Sequence, residues 1–396
     1  MEIKAAIAID DDPIFCLVAE EALLSLGAKE VQTAQNGAEG LSRLQADPDK
    51  FDLVLCDLQM PNMDGVDVIR ALGRTGFKGA VAIVSSEHGS VRRAVHAMAQ
   101  MVGIRILGTL SKPLDTSQLK ALILSYEAAA PRVQDALMSP HELVSAMMEC
   151  RVLPYYQPKF NVRDRKVSSV EVLARHKDKT GQLHGPANLL ASAERNKQMF
   201  EMTFVLIEQV VADYSRWRKA GIDIGLALNI SPLLLNRLEL PDILLNRFAE
   251  AGIDARKVTL EITEDKLLSF SADVLDILAR LRIHGFRLSI DDFGTGATSF
   301  EQLQRFPFNE LKIDQSFIRA PASDPFARTT VETSARLAAM LDMTVVAEGV
   351  ETEDQLARAV SAGAAIIQGY LLAKPMASAE LIRFLTESKK STSEAA

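Results

Sequence analysis

The sequence carries three cysteines in 396 residues, Cys16, Cys56 and Cys150, with no C-x-x-C pair and no even set from which to build a disulfide framework. They read as core residues of a protein kept in a reducing compartment. Long hydrophobic runs are missing as well: no stretch reaches the ~18 uncharged apolar residues of a membrane span. The opening apolar run, residues 3–9, is cut off by Asp10, Asp11 and Asp12, unlike a signal peptide. A cytoplasmic protein without a membrane partner is expected. Positive charge is in deficit, since 44 Lys and Arg stand against 52 Asp and Glu for a formal net charge of −8. That balance gives no general hold on nucleic acid or anionic lipid. Without a basic helix or a helix-turn-helix pattern, no DNA-binding output is expected either. An anionic substrate would need local cations, such as metal ions. The histidines show no metal-ligand spacing, which argues against a His/Cys zinc set.

What is present is the composition of a folded chain, 48% hydrophobic and 24% charged. Its length exceeds one ordinary core and predicts two domains. In the first part, β-branched runs at 7–9, 51–56, 81–84 and 104–110 alternate with helix-like stretches such as 15–26 and 91–101. That rhythm predicts an α/β, doubly wound parallel sheet with helices on both faces. Residues 128–135 break the pattern, and Ser139-Pro140 reads as a helix cap followed by proline at the first helical position. The expected organisation is a first domain over 1–126, a linker over 127–138, a second domain over 139–385 and a polar tail over 386–396 that frays. The second domain carries a further βα rhythm, with strands near 154–159, 167–173, 225–230, 258–262, 287–290, 310–313, 344–347 and 365–367. Strands in that number predict a (β/α)8 barrel.

In a doubly wound sheet the ligand chemistry gathers at the carboxyl ends of the strands. Here those ends carry Asp10 and Asp11, then Asp57, Ser85 and Lys112-Pro113. Side-by-side carboxylates repel one another unless a divalent cation neutralises them, and hard oxygen ligands favour Mg²⁺. A single Asp here would read as a helix cap; the set at separate strand ends reads as a site. These residues, with Asp57 in Asp57-Leu58-Gln59-Met60-Pro61-Asn62-Met63-Asp64-Gly65, resemble the receiver domain of response regulators. The resemblance implies a flavodoxin-like (βα)5 fold with Asp57 phosphorylated by a sensor histidine kinase or phosphotransfer protein. It also implies one Mg²⁺ held by Asp10 and Asp11, Ser85 and Lys112 on the phosphoryl group, and a cis Lys-Pro bond. Thr109 stands where that family usually has an aromatic switch residue.

In the second domain, alternation places Glu171, Leu173 and Arg175 on one strand face. Later strands each end in a polar residue after an apolar run: Asn229, Glu261, Asp291-Asp292, Lys312, Glu348 and Gln368. The carboxyl ends of barrel strands form the active-site face, so these acids would crowd one mouth. Oxygen ligands of that kind suit Mg²⁺ or Mn²⁺. Two such ions ~3.5 to 4 Å apart are what phosphodiester hydrolysis needs. Lys312 would orient the water or bind a phosphoryl oxygen, and Glu348 would ligate metal or take a proton.

Glu171-Val172-Leu173 with Arg175, Tyr156-Gln157-Pro158, Glu261-Ile262-Thr263-Glu264, Asp291-Asp292-Phe293-Gly294, Leu311-Lys312-Ile313-Asp314, Glu348-Gly349-Val350-Glu351 and Gln368-Gly369-Tyr370 resemble the EAL domain, a family of cyclic di-GMP phosphodiesterases. The resemblance implies a TIM-like barrel with one antiparallel strand, two Mg²⁺ or Mn²⁺ ions, and hydrolysis of cyclic di-GMP to linear pGpG. It places Glu171, Asn229, Glu261, Asp291, Asp292 and Glu348 around the metals and makes Lys312 and Glu348 the catalytic pair. Gln157, Leu173, Arg175, Asp314 and Gln368 become substrate contacts, and Glu264 the anchor of the loop after Asp292. It also implies a homo-oligomer, dimer or tetramer. Every catalytic position is filled, although Ala297-Thr298-Ser299-Phe300 replaces the Tyr-Ser-Ser-Leu that usually follows the Asp-Asp-Phe-Gly run. The alternatives are a receptor that binds cyclic di-GMP without cutting it, and a phosphorelay protein with a vestigial barrel.

Overall fold

The computed structural model describes residues 3–47, 49–85, 94–96, 98–99, 101–129, 137–264, 271–295 and 300–394. The chain divides into two compact units, Met1–Gln134 and Asp135–Ala396. Parts of the expected helix at 91–101 and of the expected linker lie outside the described residues, as do residues 297–299 of the 297–300 segment that replaces the usual loop. The helix Thr116–Ala129 continues beyond the boundary expected at 126.

In the N-terminal unit, β1 (Ala5–Ile9), β2 (Glu30–Ala34), β3 (Leu53–Asp57), β4 (Ala80–Val84) and β5 (Arg105–Leu110) form a parallel sheet in the order β2-β1-β3-β4-β5. Strands β1, β3 and β4 are buried throughout, as covering on both faces requires. The strand order reverses between β1 and β3, so a crevice opens past their carboxyl ends. Asp12, Asn36 and Asp64 start the helices Pro13–Ser25, Gly37–Ala46 and Gly65–Thr75 by accepting from backbone N–H groups. The edge strand β2 is missing from the sequence reading because Glu-Val-Gln-Thr-Ala, mostly half-exposed, has no continuous apolar run.

In the C-terminal unit a first antiparallel pair, β6 (Val152–Asn161) and β7 (Val167–Lys177), is followed by a two-residue strand β8 (Leu183–His184) on β7. Then come β9 (Gly225–Asn229), β10 (Val258–Thr263), β11 (Arg287–Phe293), β12 (Glu310–Ile313), β13 (Thr344–Ala347) and β14 (Ile366–Ile367). The pairing runs β6-β14-β13-β12-β11-β10-β9-β7 and closes through β6 on β7. Strand β6 is antiparallel to both neighbours, while the pairs from β7 through β9 to β14 are parallel. This is an eight-strand barrel among the described residues, with one reversed strand.

Alternation along these strands sorts the side chains into two layers. Leu260, Ile262, Leu288, Ile290, Leu311 and Ile313 join the apolar core with Trp217 and Tyr214. The residues between them, Glu261, Ser289, Asp291, Glu310 and Lys312, are buried on the inner side.

Two expectations need correction. The tail from 386 does not fray at once, because the last helix runs Ser378–Glu394. Leu381 and Leu385 bury one face of its first turns, and that anchored start carries the helix into the residues that follow, because propagation costs less than nucleation. Cys16 and Cys56 are buried, but Cys150 is exposed. It follows the helix Pro140–Met148 in a left-handed turn at φ 53°, outside the core.

Candidate functional site

At the carboxyl ends of β1, β3 and β5 the N-terminal unit gathers Asp10, Asp57 and Lys112. The Lys112 ammonium lies 2.6 Å from Asp57 Oδ2 and 2.8 Å from Asp10 Oδ2. Asp10, Asp11 and Asp57 each offer an oxygen within 4.8 Å of the others. Burial raises the Asp10 carboxyl above its ordinary value, against the pull of Lys112. Ser85 is buried at the end of β4, its backbone N–H donating to Leu110. The Lys112-Pro113 bond is cis. Gly65 lets β3 pass closely, since a Cβ there would sit 2.2 Å from the Asp57 carbonyl oxygen.

The barrel mouth is built around two buried lysines. Lys312 Nζ lies 2.7 Å from Glu348 Oε1, 2.9 Å from Asp291 Oδ1, 3.0 Å from Glu261 Oε2 and 3.8 Å from Glu171 Oε1. Burial opposes charge on this ammonium, but the four carboxylates outweigh it and hold its pKa well above the ordinary value. Glu261 is likewise penalised by burial, yet Lys159 and Lys312 bring it down to about 2. Glu171 and Glu348 go the other way: burial raises both carboxyls.

Hydrogen bonds orient the carboxylates. Asn229 Nδ2 donates to Glu171 Oε1 at 2.9 Å, and Gln368 Nε2 donates to Glu171 Oε2 at 2.6 Å. Gln368 also reaches Gln157 Oε1 at 3.1 Å. The Gly294 N–H donates to Glu264 Oε2 at 2.7 Å, tying β10 to the turn after β11. Asp291 and Asp292 are consecutive and in a regular strand would point to opposite faces. A register shift between Ile290 and Phe293 and a left-handed Asp292 at φ 55° bring both toward the mouth. The result is two overlapping trios, Glu171, Glu261 and Asp291, then Asp291, Asp292 and Glu348, each with ligand oxygens within 4.8 Å of one another.

Hard oxygen donors in this number fit divalent cations, and the carboxyls raised by burial identify charge that the lysines alone do not compensate. A cation needs those carboxyls ionised, so binding must displace protons. The apparent Mn²⁺ affinity is therefore expected to rise with pH above the ordinary glutamate value of 4.5, by about tenfold per unit for each proton displaced. Titrations at about pH 5.5 and about pH 7.5 check this; equal affinities would contradict it.

Arg175 is half-buried, donates to the Ala174 carbonyl at 2.8 Å and lies 5.8 Å from the Tyr155 ring centroid. Asp314 caps the helix Gln315–Arg319 through the Ser316 N–H at 2.9 Å. Beside the carboxylates a cavity of about 390 Å³ is lined by Glu171, Leu173, Met199, Met202, Asn229 and Glu261. At the rim, a Cβ on Gly369 would meet the Val350 carbonyl oxygen at 2.0 Å. Gly369→Ala is expected to cost about 1–3 kcal/mol by overpacking; thermal unfolding measures it, and an unchanged Tm would count against so tight a contact.

Sequence reading missed Lys159 and Glu310. Lys159 Nζ donates to Glu261 Oε1 at 2.8 Å and to Glu310 Oε1 at 2.9 Å, all three residues being buried. The signal was available in the spacing, since Lys159 lies two residues after Gln157 and Glu310 two before Lys312.

The family model for the EAL domain matches residues 141–375. The chain belongs to the EAL domain family. Ahead of this EAL domain, the response regulator receiver domain model matches residues 6–124. The cyclic di-GMP phosphodiesterase RocR of Pseudomonas aeruginosa is 31% identical over 375 residues, spanning 93% of this chain and 95% of RocR. The cyclic di-GMP phosphodiesterase NbdA of the same organism is 34% identical over 258 residues, covering 64% of this chain and 33% of NbdA. Among solved structures, the c-di-GMP complex of the PaMucR phosphodiesterase superimposes with a TM-score of 0.58 at 32% identity. That likeness covers 61% of this chain and 98% of the PaMucR chain. Among the described residues, no helix is long and apolar enough to cross a membrane.

Proposed function

We propose that this chain is a phosphorylation-responsive cyclic di-GMP phosphodiesterase that hydrolyses its substrate to linear pGpG with two Mg²⁺ or Mn²⁺ ions. The observation that carries the reading is the pair of carboxylate trios sharing Asp291, with the Lys312 ammonium against both. RocR and NbdA, named as cyclic di-GMP phosphodiesterases, support the substrate.

Glu171, Asn229, Glu261, Asp291, Asp292 and Glu348 would hold the ions. When bound, two divalent ions supply an activated water and stabilise the attacking and leaving oxygens of the phosphodiester. Asn229 and Gln368 fix both Glu171 oxygens before substrate arrives. Lys312, a compact cation that burial cannot discharge, holds the water or a non-bridging phosphoryl oxygen in line. Glu348, whose carboxyl binds a proton more readily than an ordinary glutamate, is placed to take one from that water. Gln157, Leu173, Arg175 and Asp314 contact the rest of the substrate, and the apolar cavity beside Leu173 suits the flat face of a base.

In the receiver domain, the Asp57 carboxylate takes a phosphoryl group from a histidine kinase or phosphotransfer protein. Asp10 and Asp11 hold one Mg²⁺, and Ser85 and Lys112 bind the phosphoryl oxygens. The full chain incubated with cyclic di-GMP and Mg²⁺ is expected to yield pGpG by chromatography. Ligand that is bound yet intact would instead identify a receptor. The working protein is proposed to be cytoplasmic and a homo-oligomer.

A further inference from the structure

The barrel interior holds more charge than the proposed reaction uses. Beneath the mouth, Lys159 on β6 is 1% exposed, and its ammonium is bonded to the carboxylates of Glu261 and Glu310. Glu261 is thereby gripped from two sides: Oε1 by Lys159 at 2.8 Å and Oε2 by Lys312 at 3.0 Å. Glu310 secures Lys159 from the other direction at 2.9 Å. A carboxylate side chain left to itself can turn about its last torsion, which is broad, and can offer a cation one oxygen or two. With Oε1 occupied by the Lys159 ammonium, which Glu310 holds in place from the other side, only Oε2 remains to face Lys312 and the cations.

We propose that Lys159 is a positioning residue for hydrolysis, fixing Glu261 so that it presents a single oxygen to the metal site. The inference rests on the reading of Glu261 as a metal ligand. Groups that orient a metal ligand from behind contribute about 10- to 100-fold in metal affinity or activity, and a buried lysine between two glutamates does this for a carboxylate as a carboxylate does for a histidine. The Glu310 partnership explains how a buried cation is kept in place without drawing Glu261 out of line.

The test is direct Mn²⁺ binding to the full chain, read from the electron paramagnetic resonance signal of free Mn²⁺ without substrate, for wild type, Lys159→Met and Lys159→Met/Glu310→Met. The double variant removes an ion pair as a pair, a change that is often neutral for stability, and so separates positioning from folding. The Mn²⁺ affinity is expected to fall by about tenfold or more in both variants, with the double variant keeping a cooperative thermal transition. Lys159→Arg, which retains a donor to Glu261, is expected to recover part of the loss. A folded double variant that binds Mn²⁺ as wild type does would overturn the role of Lys159 alone. Wild type that binds no Mn²⁺ would overturn the metal reading and the Lys159 role together.

Discussion

Lys312→Met is expected to lower the turnover of cyclic di-GMP by about 10²- to 10³-fold, the range found when one preorganised donor to a developing charge is removed. Lys312 is 1% exposed and touches Glu261, Asp291 and Glu348 within 3.0 Å, with Glu171 at 3.8 Å. Methionine matches its bulk and lacks its charge, so packing survives while the carboxylates lose their shared counter-ion. Removing one partner from a buried ionic network costs about 3–5 kcal/mol. The variant should therefore unfold at a lower temperature in chelator and recover much of the difference in Mg²⁺, because the cations replace part of the lost compensation. The loss of turnover should persist at saturating Mg²⁺. Steady-state kinetics on the Mg²⁺-loaded variant check it, and near-normal turnover would remove Lys312 from the reaction.

Asp57→Asn is expected to abolish phosphoryl uptake entirely while leaving basal hydrolysis measurable. An amide retains the shape of the side chain but cannot attack phosphorus as a carboxylate oxygen does, and the ion pair from Lys112 to Asp57 Oδ2 at 2.6 Å disappears. Hydrolysis depends on side chains of the EAL domain, which forms its own compact unit with its own core. Radiolabel transfer from a phosphorylated kinase measures the first effect and pGpG release the second. A folded variant without any basal turnover would show that the two chemistries are not separable.

The barrel was legible because its strand ends repeat one pattern, an apolar run closed by a polar residue, and strands 310–313 and 344–347 stand where the spacing puts them. Strand β6 extends beyond the expected 154–159 to Val152–Asn161, since pairing with the long β7 satisfies backbone groups that a run of Pro, Tyr and Gln does not advertise. Asp292 could be named, but not its turn: only a left-handed backbone at φ 55° takes a second consecutive carboxylate to the mouth. Lys159 stayed hidden because a lysine in a strand ordinarily faces water. The alternation from Gln157 places it on the inner face, but that signal counts only once the interior is read as holding paired charge where most barrels pack aliphatic side chains. Glu310 was hidden for the same reason, opening a strand whose other members were read correctly.

The account is tested most directly by anomalous diffraction from crystals of the full chain grown with Mn²⁺. It predicts two manganese peaks ~3.5 to 4 Å apart among the oxygens of Glu171, Glu261, Asp291, Asp292 and Glu348. A manganese-loaded crystal with no peak between these oxygens, or with the carboxylates turned away from it, would contradict the account.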